Sequence, residues 1–257
     1  MRFLPRWLRR APPPPAPFTT PLDLPAPVAV IGDVHGCDAL LGRLLDRIAR
    51  DPAMDPALRP DARVVCVGDY LDRGESSAAV IDRLMARPDL VCLKGNHEAM
   101  ALGFLDDPGR HAARWLRHGG LQTLASYGVA GPDPAAGRDP GRVRDDLART
   151  MGDARIAWLR ALPLSWRSGN LLVTHAGADP AAGPDDQRDR HLMWGAPDFM
   201  TRTRDDGIWV AFGHVIQDAP LAHAGRIAVD TGAYATGTLT AAILGDGPVR
   251  FVTARPD

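Results

Sequence analysis

The chain has few cysteines, almost no excess charge of either sign and no long apolar run. Three cysteines among 257 residues (Cys37, Cys66 and Cys92) are too few for a disulfide framework, so we expect free thiols in a reducing cytoplasm. A formal net charge of −1 provides no overall attraction to nucleic acid or to an anionic membrane, and we expect no stable nucleic acid binding. We also expect neither a signal peptide nor a membrane span, because no apolar stretch is long enough for either.

The beginning of the chain is basic and then rich in proline. Such a composition disfavours a packed core, so we expect residues 1–26 to form a flexible extension. Residues 27–257 have the length of one α/β domain. We expect them to form a single domain that includes a helical cap region at about residues 97–162.

Three glycine-flanked motifs stand in the first hundred residues: GDVHG at 32–36, GDYLDRG at 68–74 and GNHE at 95–98. Each follows a short apolar run, at residues 28–31, 64–67 and 90–93, which predicts a β-strand. Helical spacing of apolar residues predicts helices over 38–50 and 76–87. Because alternating strands and helices produce parallel strands, the three motifs should meet at one edge of a sheet.

The rest of the chain changes from a helical to a strand pattern. Residues 97–162 have a helical pattern, interrupted by a Pro/Gly-rich loop around 130–142. Short strands are then expected at 171–174, 208–212, 226–229, 238–244 and 249–253. The predicted fold is α/β, a mixed β-sandwich flanked by α-helices.

The motifs carry side chains that suit a two-metal site for phosphate ester hydrolysis. Two cations about 3.5–4 Å apart can neutralise phosphoryl oxygens and activate water, and a carboxylate must bridge them. Asp69 follows the central one of the three predicted strands and is the natural bridge. Asp33 and His35 point toward the first metal, whereas Asn96 offers the second metal a neutral oxygen.

Two later histidines complete this predicted ligand set. His175 and His214 each follow an apolar strand and adjoin a glycine, and the partly filled site favours coordination over a structural role. The remaining histidines lack this position and are expected to be surface or locally hydrogen-bonded groups. They are His111, His118, His191 and His223.

The order GDVHG, GDYLDRG, GNHE, HAG and GH resembles the phosphoprotein phosphatase family of calcineurin-like metallophosphoesterases. Residues 115–128 and 230–233 resemble its bacterial branch. The resemblance implies the calcineurin-like fold and two divalent ions, with Mn²⁺ expected and Fe, Zn or Co as alternatives. It implies that the first metal is held by Asp33, His35 and Asp69, and the second by Asp69, Asn96, His175 and His214.

The resemblance also implies roles in catalysis. Arg73 would bind the phosphoryl oxygens through its fork of donors, together with Asn96 and His97. His97 would be the general acid for the leaving group, and Asp72 would accept a hydrogen bond from its other nitrogen. The nucleophile would be a metal-bridging hydroxide formed from water. Family members commonly carry a second phosphate-binding arginine shortly after a tryptophan, but none stands near Ala196. The charged residues that follow or precede it are expected to be solvated, namely Arg188, Arg190, Arg202 and Arg204.

Three functions remain open from the sequence. The first is a phosphomonoesterase acting on a phosphorylated protein, at serine, threonine or tyrosine, and on small phosphoesters. The second is a symmetrical bis(5'-nucleosyl)-tetraphosphatase or RNA-end pyrophosphatase. Such relatives usually lack the equivalent of Asp72 and carry GNHD, so Asp72 and Glu98 favour the first function. The third is a catalytically weak metal-binding regulator, which the absent arginine motivates and the presence of His97 and Asp72 disfavours.

Overall fold

The computed structural model describes residues 17–256 of the chain. Its ten strands, in the described part, are β1 Val28–Ile31, β2 Arg63–Cys66, β3 Val91–Cys92, β4 Ser165–Ser168, β5 Leu171–Thr174, β6 Trp209–Phe212, β7 Leu221–His223, β8 Arg226–Ala228, β9 Leu239–Leu244 and β10 Arg250–Ala254. Its eight α-helices, over the same residues, are α1 Asp38–Ala49, α2 Ser77–Met85, α3 Asn96–Asp106, α4 Pro108–Trp115, α5 Leu121–Ser126, α6 Pro140–Ala161, α7 Asp189–Trp194 and α8 Ala233–Thr236.

The strands form two five-stranded sheets, with the orders β10-β9-β1-β2-β3 and β4-β5-β6-β8-β7. Apolar residues from both sheets share one buried cluster, to which Val30, Val173 and Ala242 belong. Helices α1 to α6 bury their apolar residues in a second cluster with the other face of the first sheet. The predicted architecture, a mixed β-sandwich flanked by helices, is confirmed.

The first hundred residues follow the predicted alternation closely. β1 covers the predicted residues, and β2 lies one residue earlier than expected. β1 pairs with β2, and β2 with β3, in parallel. Helix α1 buries an apolar face that includes Leu41, Leu44 and Ile48, because these residues recur at helical spacing. The three motifs therefore follow neighbouring parallel strands and lie at the same edge of the sheet.

The helical region is interrupted between α5 and α6, where the Pro/Gly-rich loop was predicted, and also at two places that were not predicted, before α4 and between α4 and α5. Pro108 and Pro140 occupy first-turn positions of α4 and α6, where the missing N–H is not needed. Between α4 and α5, residues Leu116–Gly120 form a wider turn, and Gly119 has a φ of 110°, which a glycine adopts without strain. A Cβ on Gly119 would lie 2.6 Å from the backbone nitrogen of Arg73, so this turn lies directly against the GDYLDRG motif.

The elements that sequence analysis missed are at the margins of the fold. β4 and β7 are edge strands of the second sheet and carry polar or exposed residues. An edge strand can be half-exposed on both faces, so it lacks the apolar run by which a buried strand is recognised. Helices α7 and α8, of six and four residues, are too short to show a helical period.

Part of the segment expected to be a flexible extension packs against the second sheet. Asn170 exchanges hydrogen bonds with Asp23 and Pro21, and the Phe18 ring lies 5.2 Å from the Trp209 ring. The backbone of residues 17–26 is therefore held by specific contacts, unlike the expected extension. Residues 1–16 lie outside the described residues, and the domain boundary at residue 26 stays a prediction.

The cysteines are free thiols, with Cys66 and Cys92 buried on neighbouring strands and Cys37 half-buried. Among the helices of residues 17–256, none combines the length and apolar character that a bilayer crossing needs.

Candidate active site

The site is formed where the strands of both sheets end. His35 N donates a hydrogen bond to the Asp69 carbonyl oxygen (2.8 Å), which joins the first two motifs. In the second sheet, Gly213 N donates to the His175 carbonyl oxygen (2.8 Å) and so joins the ends of β5 and β6. His214 N donates to both carboxylate oxygens of Asp33, at 3.1 and 3.0 Å, and connects the two sheets.

Asp69 lies at the centre of the site. Its Oδ2 is 3.5 Å from His35 Nε2 and 3.4 Å from His175 Nε2. Its Oδ1 accepts a hydrogen bond from His97 N (3.0 Å). Two groups of possible metal ligands share Asp69, each with ligand atoms within 4.8 Å of one another. One contains His35 and His97, and the other contains His175 and His214.

The remaining candidate ligands are next to these groups. Asn96 Oδ1 lies 2.8 Å from His175 Nε2, and His175 Nδ1 lies 4.0 Å from Asp33 Oδ1. The structure thus brings together all six side chains that sequence analysis selected as metal ligands. His175 Nε2 lies 3.4 Å from Asp69 Oδ2 as well as next to Asn96 Oδ1, so this nitrogen is placed to share an ion with both oxygens.

The backbone of this site is unusually strained. Six non-glycine residues of the described chain have a left-handed φ, and five of these belong to the site. They are His35, Asp69, Asp72, Arg73 and His214. Such conformations persist only where surrounding contacts impose them, and they concentrate at functional sites.

Burial governs the protonation of the site. It lowers the pKa of His35 to about 3 and that of His175 to about 4, so both imidazoles are neutral near pH 7. Burial and the charge of Asp230 raise the pKa of Asp33, and burial raises the pKa of Asp230 to about 6. Burial alone would raise the pKa of Asp69, but the surrounding histidines hold it below its usual value. The site therefore concentrates buried carboxylates and neutral imidazoles, a combination that fits divalent cations.

His97 and Asp72 form a buried pair beside Asp69. His97 Nδ1 lies 2.7 Å from Asp72 Oδ2, and His97 Nε2 lies 3.8 Å from Asp69 Oδ2. Asp72 also accepts hydrogen bonds from Trp115 Nε1 (3.0 Å) and Thr123 Oγ1 (2.6 Å). Burial lowers the pKa of His97, but the charges of Asp69 and Asp72 outweigh it and raise this pKa above its usual value. The pair is thus oriented by two donors, Trp115 Nε1 and Thr123 Oγ1, and it favours the protonated imidazole.

Arg73 extends over the same cluster. Its guanidinium carbon lies 4.8 Å from the centre of the Tyr234 ring, and this ring lies 5.3 Å from the ring of His35. Within residues 17–256, Arg73 makes no salt bridge, so its N–H donors remain available for an anion.

Several residues of the site had no assigned role in the sequence analysis. Trp115 and Thr123 orient Asp72, Asp230 adjoins Asp33, and Tyr234 contacts Arg73. Trp115, Thr123 and Asp230 lie in the segments 115–128 and 230–233, which resemble the bacterial branch of the phosphoprotein phosphatase family. That resemblance is the feature of the sequence that could have indicated a role for them. Tyr234 lies just after such a segment, and nothing in its own position marked it.

The arginines near the absent second clamp have different environments. Arg188, Arg190 and Arg202 are exposed, as expected. Arg204, however, is buried and donates to the Asp206 carboxylate and to the carbonyl oxygens of Asp179 and Ala182. The expectation that Arg204 is solvated is wrong, because its charge is neutralised inside a loop instead.

Glu98 organises the backbone of the site without facing its cavity. Its Oε2 accepts hydrogen bonds from Asp69 N and Gly95 N (both 2.8 Å), and its Oε1 accepts one from Tyr70 N (2.8 Å). Burial and the charge of Asp69 raise the pKa of Glu98 to about 7. A glutamate at this position therefore joins the second motif to the third.

We expect Glu98→Gln to lower the free energy of unfolding by about 2–4 kcal/mol at pH 8.5. The side-chain NH2 of the new glutamine would face backbone N–H groups, and two donors cannot form a hydrogen bond. The ionised carboxylate of Glu98 accepts from all of these backbone groups. Urea unfolding of the metal-free protein measures the change, and the exposed Glu75→Gln is the matched control. Equal stability of the two variants would contradict this role of Glu98.

Comparisons with known proteins identify the family of this chain. Residues 26–218 match the family described as calcineurin-like phosphoesterase. The symmetrical bis(5'-nucleosyl)-tetraphosphatase of Acidovorax ebreus (strain TPSY) is 32% identical over 155 residues, covering 58% of this chain and 43% of the relative. Serine/threonine-protein phosphatase 2 of Salmonella typhimurium is 25% identical over 234 residues, covering 85% of this chain and 93% of the relative.

A solved structure shares the fold over nearly all of the chain. The cold-active protein-tyrosine phosphatase of a psychrophilic Shewanella species superposes with a TM-score of 0.58 at 17% identity, covering 98% of this chain and 89% of the other. This chain spans less than half the length of the symmetrical tetraphosphatases that it matches. The match covers 43% of the Acidovorax ebreus protein and 44% of the Paracidovorax citrulli protein. The family match covers most of the chain and includes all of the motifs from GDVHG to GH. This protein therefore belongs to the calcineurin-like phosphoesterase family.

Proposed function

We propose that this chain is a dinuclear metal-dependent phosphomonoesterase that removes phosphate from serine or threonine, and also tyrosine, of phosphorylated proteins. The observation that carries the proposal is the buried His97–Asp72 pair beside Asp69. An alkoxide from serine or threonine is a poor leaving group, so its release requires a proton donor in position. A nucleoside phosphate released from a phosphoanhydride is a better leaving group and depends less on such a donor.

The ligand set supports two divalent ions. We assign the first to Asp33, His35 and Asp69, and the second to Asp69, Asn96, His175 and His214. The neutral imidazoles, the shared carboxylate and the position of His175 Nε2 beside Asp69 and Asn96 support this assignment. When bound, two such ions attract charge on the phosphoryl oxygens and lower the pKa of a coordinated water. Mn²⁺ is our proposed ion, and Fe, Zn and Co also suit mixed oxygen and imidazole ligands.

The residues that are not ligands would act on the substrate directly. Arg73 has free donors next to the cluster and would hold two phosphoryl oxygens with its fork. His97 would protonate the leaving oxygen through Nε2, since Nδ1 is committed to Asp72. Asp72 would stabilise the protonated form, and Trp115 and Thr123 would keep its carboxylate in place.

A symmetrical bis(5'-nucleosyl)-tetraphosphatase is the second candidate. It is favoured by relatives of that name, which are 30–32% identical to this chain over 155 to 160 residues. The His97–Asp72 pair argues for the phosphomonoesterase, whereas sequence identity argues for the tetraphosphatase.

One substrate comparison separates the candidates. The protein with Mn²⁺ is assayed with p-nitrophenyl phosphate, a phosphoserine peptide, a phosphotyrosine peptide and diadenosine tetraphosphate, and Asp69→Asn provides the blank. We expect the phosphoserine peptide to have a higher kcat/KM than the dinucleotide. A preference for diadenosine tetraphosphate would replace our proposal by the second candidate. No turnover of any substrate, with metal bound, would contradict both.

We expect metal affinity to fall by about tenfold or more between pH 7.5 and pH 5.5, because ligand protonation competes with metal. Burial raises the pKa of Asp230 to about 6, so this carboxyl group takes up a proton in this range, and burial also raises the pKa of the proposed ligand Asp33 beside it. His35 and His175 remain neutral there, since burial lowers the pKa of each to about 3 and about 4. Calorimetric titration with Mn²⁺ measures the effect.

The Asp230→Asn variant provides the internal comparison for this pH dependence. The charge of Asp230 raises the pKa of Asp33, so its removal should shift the loss of affinity to lower pH. Affinity that is constant from pH 5.5 to 7.5 would contradict the proposed participation of Asp33.

A further inference from the structure

Arg114 and Trp194 contact each other across a cavity of about 500 Å³. Arg114 is on α4, and Trp194 is the last residue of α7. The guanidinium carbon of Arg114 lies 4.4 Å from the centre of the Trp194 ring, and 36% of the Trp194 surface is exposed. The contact therefore joins the helical region to the second sheet at a surface open to solvent.

The chain neighbours of this pair approach the candidate active site. Trp115, the residue after Arg114, donates to the Asp72 carboxylate. On the other side, a Cβ on Gly195 would lie 3.6 Å from the carbonyl oxygen of Ala176, the neighbour of His175. The chain segments that carry Arg114 and Trp194 thus lead directly to the His97–Asp72 pair and to the proposed second metal site.

The cavity is positively charged and has no acidic side chain in its wall. Its lining consists of Arg114, Arg190, His191, Trp194, Gly195 and Pro197. In the described part of the chain, neither Arg114 nor Arg190 forms a salt bridge. Some other arginines of the helical region do: Arg155 pairs with Asp82, and Arg160 pairs with Asp106. Both side chains are exposed, so their guanidinium donors are open to an anion from outside the protein chain.

We propose that Arg114 and Arg190 bind a second anionic group of the substrate, beside the phosphoryl group that reacts. The proposal rests on the proposed phosphoester hydrolysis. Trp194 is a positioning residue, because its ring holds the guanidinium group of Arg114 in place. The N–H donors at the edge of this guanidinium group remain free to bind a carboxylate or phosphate. The second anion is an acidic residue next to the phosphorylated residue of a peptide or a further phosphate of a dinucleotide.

Arg114 and Arg190 also relate to the arginine that is absent near Ala196. Within residues 17–256, Arg73 is the arginine that extends over the proposed metal ligands, so in this part of the chain the reacting group would meet one guanidinium. The positive charges of Arg114 and Arg190 lie on α4 and α7 instead, where they would contact groups of the substrate that flank the reacting phosphoryl group. Selection among phosphoesters would then depend on their second charge.

The test compares two phosphoserine peptides that differ only in the residues after the phosphoserine, either aspartates or alanines, and includes diadenosine tetraphosphate. We expect the wild-type protein to prefer the acidic peptide by about tenfold in kcat/KM, mainly through KM, as for one charge-assisted hydrogen bond at a half-exposed site. Arg114→Ala should reduce this preference to near unity, and Trp194→Ala should reduce it partly. Arg114→Lys, which keeps the charge without the fork, should restore part of it.

Arg110→Ala is the matched control, because Arg110 is exposed on the same helix and does not line the cavity. A loss on diadenosine tetraphosphate that exceeds the loss on the acidic peptide would identify the second anion as phosphate. An unchanged preference in Arg114→Ala, or an equal loss in Arg110→Ala, would overturn the proposal.

A binding measurement separates this proposal from the proposed function. Fluorescein-labelled, dephosphorylated forms of both peptides are titrated with wild-type protein and Arg114→Ala, and anisotropy reports binding without turnover. Tighter binding of the acidic peptide that depends on Arg114 supports the second-anion site even if no substrate is hydrolysed. Binding that does not distinguish the peptides would overturn the site even in an active phosphatase.

Discussion

Replacing Asp69 by asparagine is expected to lower kcat/KM by more than about a thousandfold and to remove bound metal, because both proposed ions lose a shared anionic ligand. Asp69 Oδ2 lies within 3.5 Å of His35 Nε2 and His175 Nε2, one from each half of the site. Asparagine keeps an oxygen for the His97 N–H and tolerates the left-handed φ of 53° at this position. The change therefore removes charge with little disturbance of the backbone.

Metal content by mass spectrometry, together with kcat/KM for p-nitrophenyl phosphate, measures this effect. Asp246→Asn is the matched control, since Asp246 is 85% exposed and pairs with Arg59 at the surface. If Asp69→Asn retained two metal equivalents, or activity within tenfold of the wild type, Asp69 would not bridge the ions.

Replacing His97 by asparagine is expected to lower kcat for a phosphoserine peptide by about 10²–10⁴-fold while both metals remain bound. His97 is not among the proposed ligands, and its Nδ1 is held by Asp72. The loss should be much smaller for p-nitrophenyl phosphate, because p-nitrophenolate leaves without a proton. The dependence on the leaving group is the measurement that identifies a proton donor.

Asp72→Asn is the companion variant for His97. Asp72 and Asp69 hold the pKa of His97 above its usual value against the effect of burial. Removing the charge of Asp72 should lower the pKa of His97, so His97 loses its proton at a lower pH. The decline of kcat on the alkaline side of the pH profile should therefore begin at a lower pH than in the wild type. His223→Asn, at an exposed histidine of β7, is the control. Loss of metal in His97→Asn, or an equal loss for both leaving groups, would refute the role of His97 as general acid.

The strands and the order of motifs were predictable from the sequence because they depend on local patterns. Short apolar runs next to glycine-flanked polar turns indicate buried parallel strands, and β1 and β5 cover the predicted residues. Since the ends of parallel strands meet at one sheet edge, the sequence alone predicts that Asp33, Asp69 and Asn96 lie close together. The family resemblance was confirmed on the same motifs.

The tertiary structure decided what surrounds those residues. Thr123 donates to Asp72 from 51 positions away, and Glu98 accepts from Asp69 N across 29 positions. No period or turn signal records such contacts, because they depend on how α3, α4 and α5 pack against the end of β2. The stacking of Arg114 on Trp194 joins residues that no local pattern relates. By itself the sequence determined the family, the main strands and the candidate ligands. Packing decided the charge balance, the orientation of His97 and the cavity beside it, because these depend on distances between remote segments.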